Sequence, residues 1–268
     1  MGTRYDYKII ISGQHIEKYE YLDNFVFKGY ERKKWAKKKN DYEKTAVKEQ
    51  TEFTKSSLNR TRTVLRRLVN SNYQLTKFIT LTFGSEMHDL KQANYIFNLF
   101  TQRMADRFPE FQYIAVPEFQ PISQRVHYHL LSNLHYTPNK QIAEIWGQGF
   151  IKINRIDKLT NVGAYICKYL SKEMCDKRLF HKKKFFYSQG LNSPFELTGY
   201  PALNYFEAYV KNSEPVFEKE FNNEYLGRVS YMAYALDFIP PLPKKETPFD
   251  KIILRLKMVG LIPPNYEQ

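Results

Sequence analysis

The chain has 268 residues and carries a formal charge of +13, from 41 basic against 28 acidic side chains. It can bury a full core, and its partner is expected to be acidic: nucleic acid or an anionic surface. No apolar run approaches the roughly eighteen residues of a membrane span, and the start Met1-Gly-Thr-Arg-Tyr-Asp6 has no apolar signal core, so a membrane partner and export drop out and nucleic acid moves ahead.

In chain order, Lys8-Ile-Ile-Ile-Ser12 reads as a strand, followed by a mixed aromatic stretch and the basic run that includes Lys33, Lys34, Lys37, Lys38 and Lys39. Helical patterning occupies Glu43 to Phe53 and Ser57 to Val69. In the second piece Leu58, Leu65, Leu68 and Val69 share a side, while Arg60, Arg62, Arg66 and Arg67 ring the remainder. This reads as a basic clamp for DNA or, equally, as a solvated charged face. Residues 1–75 are thus an N-terminal strand region with a basic helical DNA-binding segment.

The middle of the chain, 76–197, opens with the strand Phe78-Ile-Thr-Leu-Thr-Phe83 and a turn at Gly84. Leu90, Ala93, Phe97, Phe100, Met104 and Phe108 recur at three- and four-residue steps, predicting a helix from His88 that Pro109 stops. Two strands follow, one ending at Glu118 and one over Arg125–Asn133. Thr137-Pro138 predicts a cap and first-turn proline for a short helix through Trp146, ended by Gly147 and Gly149. A strand over Phe150–Ile156, a helix from about Asn161 to Met174 and a last strand over Lys182–Ser188 complete the block. The predicted fold class is α+β: a central antiparallel sheet with a ferredoxin- or RRM-like split βαβ core, helices on one face, and the basic helical segment before it. Residues 198–268 form a C-terminal extension whose role the sequence leaves open.

Chemistry concentrates on Glu118 and the pair His127-Tyr-His129. Histidines two apart on a strand point to one side, and if the flanking runs pair as antiparallel neighbours the Glu118 carboxylate returns beside them. Two neutral imidazoles and a carboxylate suit a divalent ion with open positions. The alternative is a hydrogen-bonded histidine pair on a half-buried strand. Tyr165-x-x-Lys168-Tyr169-x-x-Lys172 places two phenols on one helix face and two ammonium groups on an adjacent one. A phenol near pKa 10 needs a neighbouring cation to act as a nucleophile at neutral pH, and the plainer reading is an amphipathic helix packing its tyrosines. Cys167 and Cys175 are the only cysteines and read as reduced packing residues. Tyr (21) and Phe (20) are abundant; core filling and stacking on unpaired bases both fit, and composition leaves them unseparated.

In order, the Phe78 strand, Glu118 with His127-Tyr-His129, and the doubled Tyr-x-x-Lys resemble the three motifs of the HUH endonucleases, most closely the rolling-circle replication initiators (Rep proteins) of small bacterial plasmids and single-stranded DNA phages. The arginine-rich helix and Phe186-Tyr-Ser-Gln-Gly-Leu191 are similar to segments of the same group. The resemblance implies Mg2+ or Mn2+ held by His127 and His129, with Glu118 as the more variable third ligand. It implies a nucleophile at Tyr165 or Tyr169 and phosphate-orienting lysines at Lys168 and Lys172. The implied reaction cuts origin DNA through a 5′-phosphotyrosine and leaves a 3′-hydroxyl primer. The implied setting is the cytoplasm of a bacterial host, with origin hairpin or duplex DNA held by the basic arm and by Lys182, Lys183 and Lys184, and a host helicase and DNA polymerase as partners, since no Gly-x-x-x-x-Gly-Lys-[Ser/Thr] occurs. A mobilisation relaxase or single-strand transposase would share the site. A non-catalytic RRM-like binding module is the reading from another class.

Overall fold

Strand order follows from where the alternating apolar residues can be covered. The computed structural model describes residues 3–28, 55–156, 177–179, 182–243, 256 and 261; the predicted helices over 43–53 and 161–174 lie outside these. Its central sheet contains β5 (Lys77–Thr82), β6 (Tyr113–Phe119), β7 (Val126–Ser132), β8 (Ile151–Arg155) and β9 (Phe186–Tyr187) in the order β8-β5-β7-β6-β9, every pair antiparallel. Helix α2 (Leu90–Arg107) links β5 to β6, and α3 (Asn139–Trp146) links β7 to β8. This is the split βαβ arrangement read from the sequence.

Period-two alternation divides β7. Val126, Tyr128 and Leu130 join a core with Phe97, Phe100, Met104, Ile142 and Trp146 beneath α2 and α3. The Tyr128 ring stacks on Phe97 at 4.3 Å, and its hydroxyl donates to Asn94 at 2.6 Å, satisfying the one polar atom the ring buries. Asp89 caps α2 by accepting from the Lys91 N–H at 2.8 Å. For α3 the expected Thr137 cap is corrected. Pro138 holds the cap position, and the Thr137 hydroxyl donates instead to the His135 carbonyl at 3.2 Å. Because the helix begins only at Asn139, Thr137 stands one residue too early to reach its first free N–H groups. The predicted last strand shortens to two residues, since only Ile114 and Ala115 of β6 pair with it.

A second five-stranded antiparallel sheet was not anticipated. It has the order β10-β2-β3-β12-β11, from β2 (Tyr7–Ser12), β3 (His15–Tyr21), β10 (Phe195–Thr198), β11 (Phe217–Asn223) and β12 (Gly227–Ala235). Residues after 198, which the sequence left without a role, therefore complete a sheet begun by the first strands. One face packs Ile9, Ile11, Ile16 and Tyr234 against Ala202 and Tyr205 of α4 (Tyr200–Tyr209). Short strands β1 (Thr3–Tyr5) and β4 (Val26–Lys28) form a separate ladder.

Helix α1 (Lys55–Asn70) joins the two sheets. Leu65, Leu68 and Val69 bury against Ile114, Val116 and Leu131 on the central-sheet face opposite α2 and α3. From its other side Arg66 and Arg67 reach the buried Glu17 of the second sheet, at 2.6 and 2.5 Å. Gly13, at φ +60°, turns the β2–β3 hairpin directly under the end of α1; a Cβ there would stand 2.4 Å from the Asn70 carbonyl oxygen. Residues Met1–Phe238 form one compact unit and Ile239–Gln268 a second.

Candidate active site

Among the described residues, helix α1 packs on one end of its face of the central sheet. Antiparallel register sets three rows across it: Phe78, Leu131 and Ile114; then Lys152, Thr80, His129 and Val116; then Thr82, His127 and Glu118. Apolar side chains of α1 cap the first row. The third row lies beyond them, beside the turn from Gln120 to Arg125. Glu118 and His127 are thus direct cross-strand partners, the pairing on which the sequence reading was conditional, and His129 sits on the next row of the same face.

His129 is held from three sides. Its ring stacks on Phe78 at 5.5 Å and 9°. Its Nδ1 lies 3.1 Å from the Thr80 hydroxyl, and its Nε2 shares a short hydrogen bond with Glu118 Oε2. His127 is buried, and its Nε2 has no hydrogen-bond partner among the described residues. Burial holds the His127 imidazole below the ordinary histidine value; Glu118 opposes this, while His129 and Arg125 reinforce it. The ring is therefore neutral near pH 7, with a buried nitrogen unsatisfied, an uncommon condition that calls for a partner. As the side chains stand, no group of three His, Cys, Asp or Glu among the described residues is arranged to hold a metal ion. The donor types nevertheless suit one, since the Glu118 to His129 contact ties up two of the three and leaves His127 waiting.

The turn beside the site is built with its own hydrogen bonds. Gln120 donates its N–H to the Arg125 carbonyl at 3.0 Å, and Gln124, at φ +58°, donates to the Gln120 carbonyl at 2.9 Å. His88 lies 3.0 Å from Glu86 and 3.2 Å from the Gln124 carbonyl, fastening this turn to the start of α2.

The remaining predicted residues divide into three groups. Tyr165, Lys168, Tyr169 and Lys172 lie outside the described residues, as do Lys33, Lys34, Lys37, Lys38 and Lys39. Arg60, Lys182 and Lys183 are exposed, and Arg62 and Lys184 are half-buried, with Lys184 held below the usual lysine value by burial. Arg66 and Arg67 are engaged with Glu17, so their guanidinium groups face the second sheet. The residues that sequence reasoning missed are Thr80, which orients His129, and Lys152, an exposed cation on the His129 row. The alternation of Phe78-Ile-Thr-Leu-Thr contained the Thr80 signal, but reading it needed the knowledge that β5 pairs with β7.

Comparison with known proteins bears on this same stretch. The family model described as Replication-associated protein ORF2/G2P matches residues 76–174, which span β5 to β8 and the tyrosine segment. No curated protein and no solved structure matches the chain. Among the described residues no helix is long and apolar enough to cross a membrane.

Proposed function

We propose that the chain is a rolling-circle replication initiator of the HUH type, which nicks and rejoins single-stranded origin DNA of a small plasmid or phage. The observation that carries this reading is the end of the β6–β7 hairpin, where a buried imidazole with no partner among the described residues, a second imidazole and a carboxylate meet inside the stretch similar to replication-associated proteins. His127, His129 and Glu118 would hold a Mg2+ or Mn2+ ion, which when bound draws charge from a non-bridging phosphate oxygen. Thr80 keeps His129 oriented, and the low basicity of His127 keeps its nitrogen unprotonated and ready to ligate.

The chain's own nucleophile is the phenol of Tyr165 or Tyr169. Its oxygen forms a new bond to phosphorus as the bond to the 3′ oxygen breaks. That oxygen takes up a proton and departs as the 3′-hydroxyl primer, and the 5′ end stays joined to the tyrosine. Lys168 and Lys172 orient the phosphate and favour the phenolate. Attack must be in line with the departing oxygen, so the strand has to be unpaired or extruded. Flanking DNA is held through its phosphates by the basic residues of the arm, by Arg60 of α1 and by Lys182 to Lys184.

The test is a denaturing gel of the protein incubated with hairpin-bearing single strands and Mn2+, with and without EDTA. A covalent adduct that EDTA abolishes, that His127→Ala loses, and that disappears in Tyr165→Phe or Tyr169→Phe is the expected result. Strand binding that survives EDTA with no adduct on any hairpin would leave the RRM-like binding module in its place.

A further inference from the structure

On the face of the second sheet opposite α4, Ile10, Glu17 and Val229 are buried beside the arginines of α1, whereas the side chains of the edge strand β11 are exposed. Opposite α4, pairing register sets the row Lys8, Tyr19, Tyr231 and Lys219, flanked by Ala233 with Phe217 on one side and Val229 with Phe221 on the other. The Tyr19 and Tyr231 rings lie 4.9 Å apart, Phe217 and Tyr231 6.0 Å apart, and the Lys8 ammonium sits 4.6 Å above Tyr19. Phe217 is 53% exposed and Phe221 38%, on a strand whose residues are almost all exposed. Neither ring is needed to fill the α4 core, which lies on the opposite face.

Two features show what this face is suited to meet. The first is the sequence Phe217-Glu-Lys-Glu-Phe221, whose alternation sends both phenylalanines and Lys219 to this face and Glu218 and Glu220 to the other. One side of the edge ribbon is therefore aromatic and basic, and the other is acidic. The second is the anchoring of the central rings: the Tyr231 hydroxyl donates to Glu17 at 2.8 Å, and the Tyr19 hydroxyl accepts from Arg67 at 2.9 Å. The rings are thus positioned in advance, and Glu17, buried and paired with two arginines, adds little repulsion for an anion.

We infer that the β11 edge of this face binds single-stranded DNA, stacking unpaired bases on Phe217 and Phe221 beside the half-buried Tyr19 and Tyr231, while Lys219 meets the phosphates. Sequence-tolerant stacking between cations is how sheet surfaces hold single strands. Phe217 and Phe221, four residues apart on one face of β11, stand roughly 13 Å apart at the usual rise of a strand, room for two or three splayed bases. A duplex hides the ring faces this surface needs. A second copy of a chain carrying +13 would bring like charge against like. That the strand is DNA rests on the proposed function, in which nicking releases an unpaired strand that must be kept from re-annealing.

The test reads strand binding in EDTA, where cleavage plays no part. Fluorescence anisotropy of a labelled oligothymidylate of about twelve nucleotides is compared for the full-length parent, Phe217→Ala/Phe221→Ala, Lys219→Glu, and the opposite-face control Glu218→Gln/Glu220→Gln. The double phenylalanine variant should bind at least about tenfold more weakly and Lys219→Glu more weakly with a shallower salt slope, while the control binds as well as the parent or better. Duplex of the same length should compete poorly. Unchanged circular dichroism and melting would show that the exposed substitutions leave the fold intact. Affinity within about twofold of the parent in both test variants would overturn the inference, as would a parent dimer that sedimentation finds and the double variant loses at unchanged DNA affinity. The outcomes separate from those of the nuclease reading: a Mn2+-dependent adduct with unaltered variant affinity sinks only this surface, and lost affinity without any adduct sinks only the nuclease.

Discussion

Thr80 acts on the candidate site through a single hydrogen bond, yet it determines which nitrogen His129 can offer. With Nδ1 engaged by the hydroxyl, Nε2 is the atom turned toward Glu118. Removing such an orienting contact commonly weakens metal affinity about ten- to a hundredfold. Thr80→Val, close in shape, should therefore raise the Mn2+ concentration needed for half-maximal cleavage by that factor and leave thermal stability nearly unchanged. Glu17 is the structural counterpart. Burial alone would raise its pKa, but the hydrogen bond and charge of Arg67, the charge of Arg66 and the Tyr231 hydroxyl outweigh that and hold the carboxyl below its ordinary value. A carboxyl depressed in the fold stabilises fully above its unfolded pKa of about 4.3 and loses that contribution as pH falls through the folded value. Glu17→Gln should cost on the order of 3–5 kcal/mol at neutral pH by stranding two arginines. It should also flatten the acid limb of a denaturant-midpoint against pH plot, where the parent declines.

The hairpin of β6 and β7 brings Glu118 to His127, and the far edge of the same row is set by a different device. Gly149 lies at φ +150° where the chain leaving α3 crosses the end of β5, and a Cβ there would stand 2.4 Å from the Gly84 nitrogen and 2.6 Å from the Thr82 oxygen. Hydrogen bonds from the Gly84 N–H to Gln148 and from the Trp146 indole to Thr82 fasten this crossing. Gly149→Ala must push the two segments apart. Chemical denaturation should show a loss of more than about 1 kcal/mol, with cleavage falling as Thr82 and its neighbours shift beside His127. Helix α1 does two jobs at once, burying leucines on the central sheet and sending arginines to the second. Its amphipathic pattern was legible in the sequence, whereas the destination of Arg66 and Arg67 was not, because their partner Glu17 lies some fifty positions earlier on another sheet.

Across the molecule, the positive balance should appear as a steep dependence of DNA affinity on salt. Each phosphate contacted on a single strand contributes about 0.7 to the slope of log affinity against log salt. Arg60→Ala, Lys182→Ala and Lys183→Ala, all at exposed positions, should each lower that slope by up to this amount without altering sequence preference. Arg66→Ala should instead lower stability, since its guanidinium is committed to Glu17. The elements of the central block could be read from the chain, since their periodicities are local: three- and four-residue steps for α2, alternation for β5 to β8. The His127, His129 and Glu118 group was readable for the same reason, being carried by one hairpin whose turn sets its register. The second sheet was not, because β2 meets β10 and β3 meets β12 across some two hundred residues, and no local pattern encodes which distant edge a strand will find. Residue order alone thus determined that Glu118, His127 and His129 share one hairpin and which faces of the helices are apolar. Long-range packing settled which arginines face inward, which threonine orients an imidazole, and which aromatic rings remain in solvent, because each depends on what comes to lie opposite once both sheets have closed on α1.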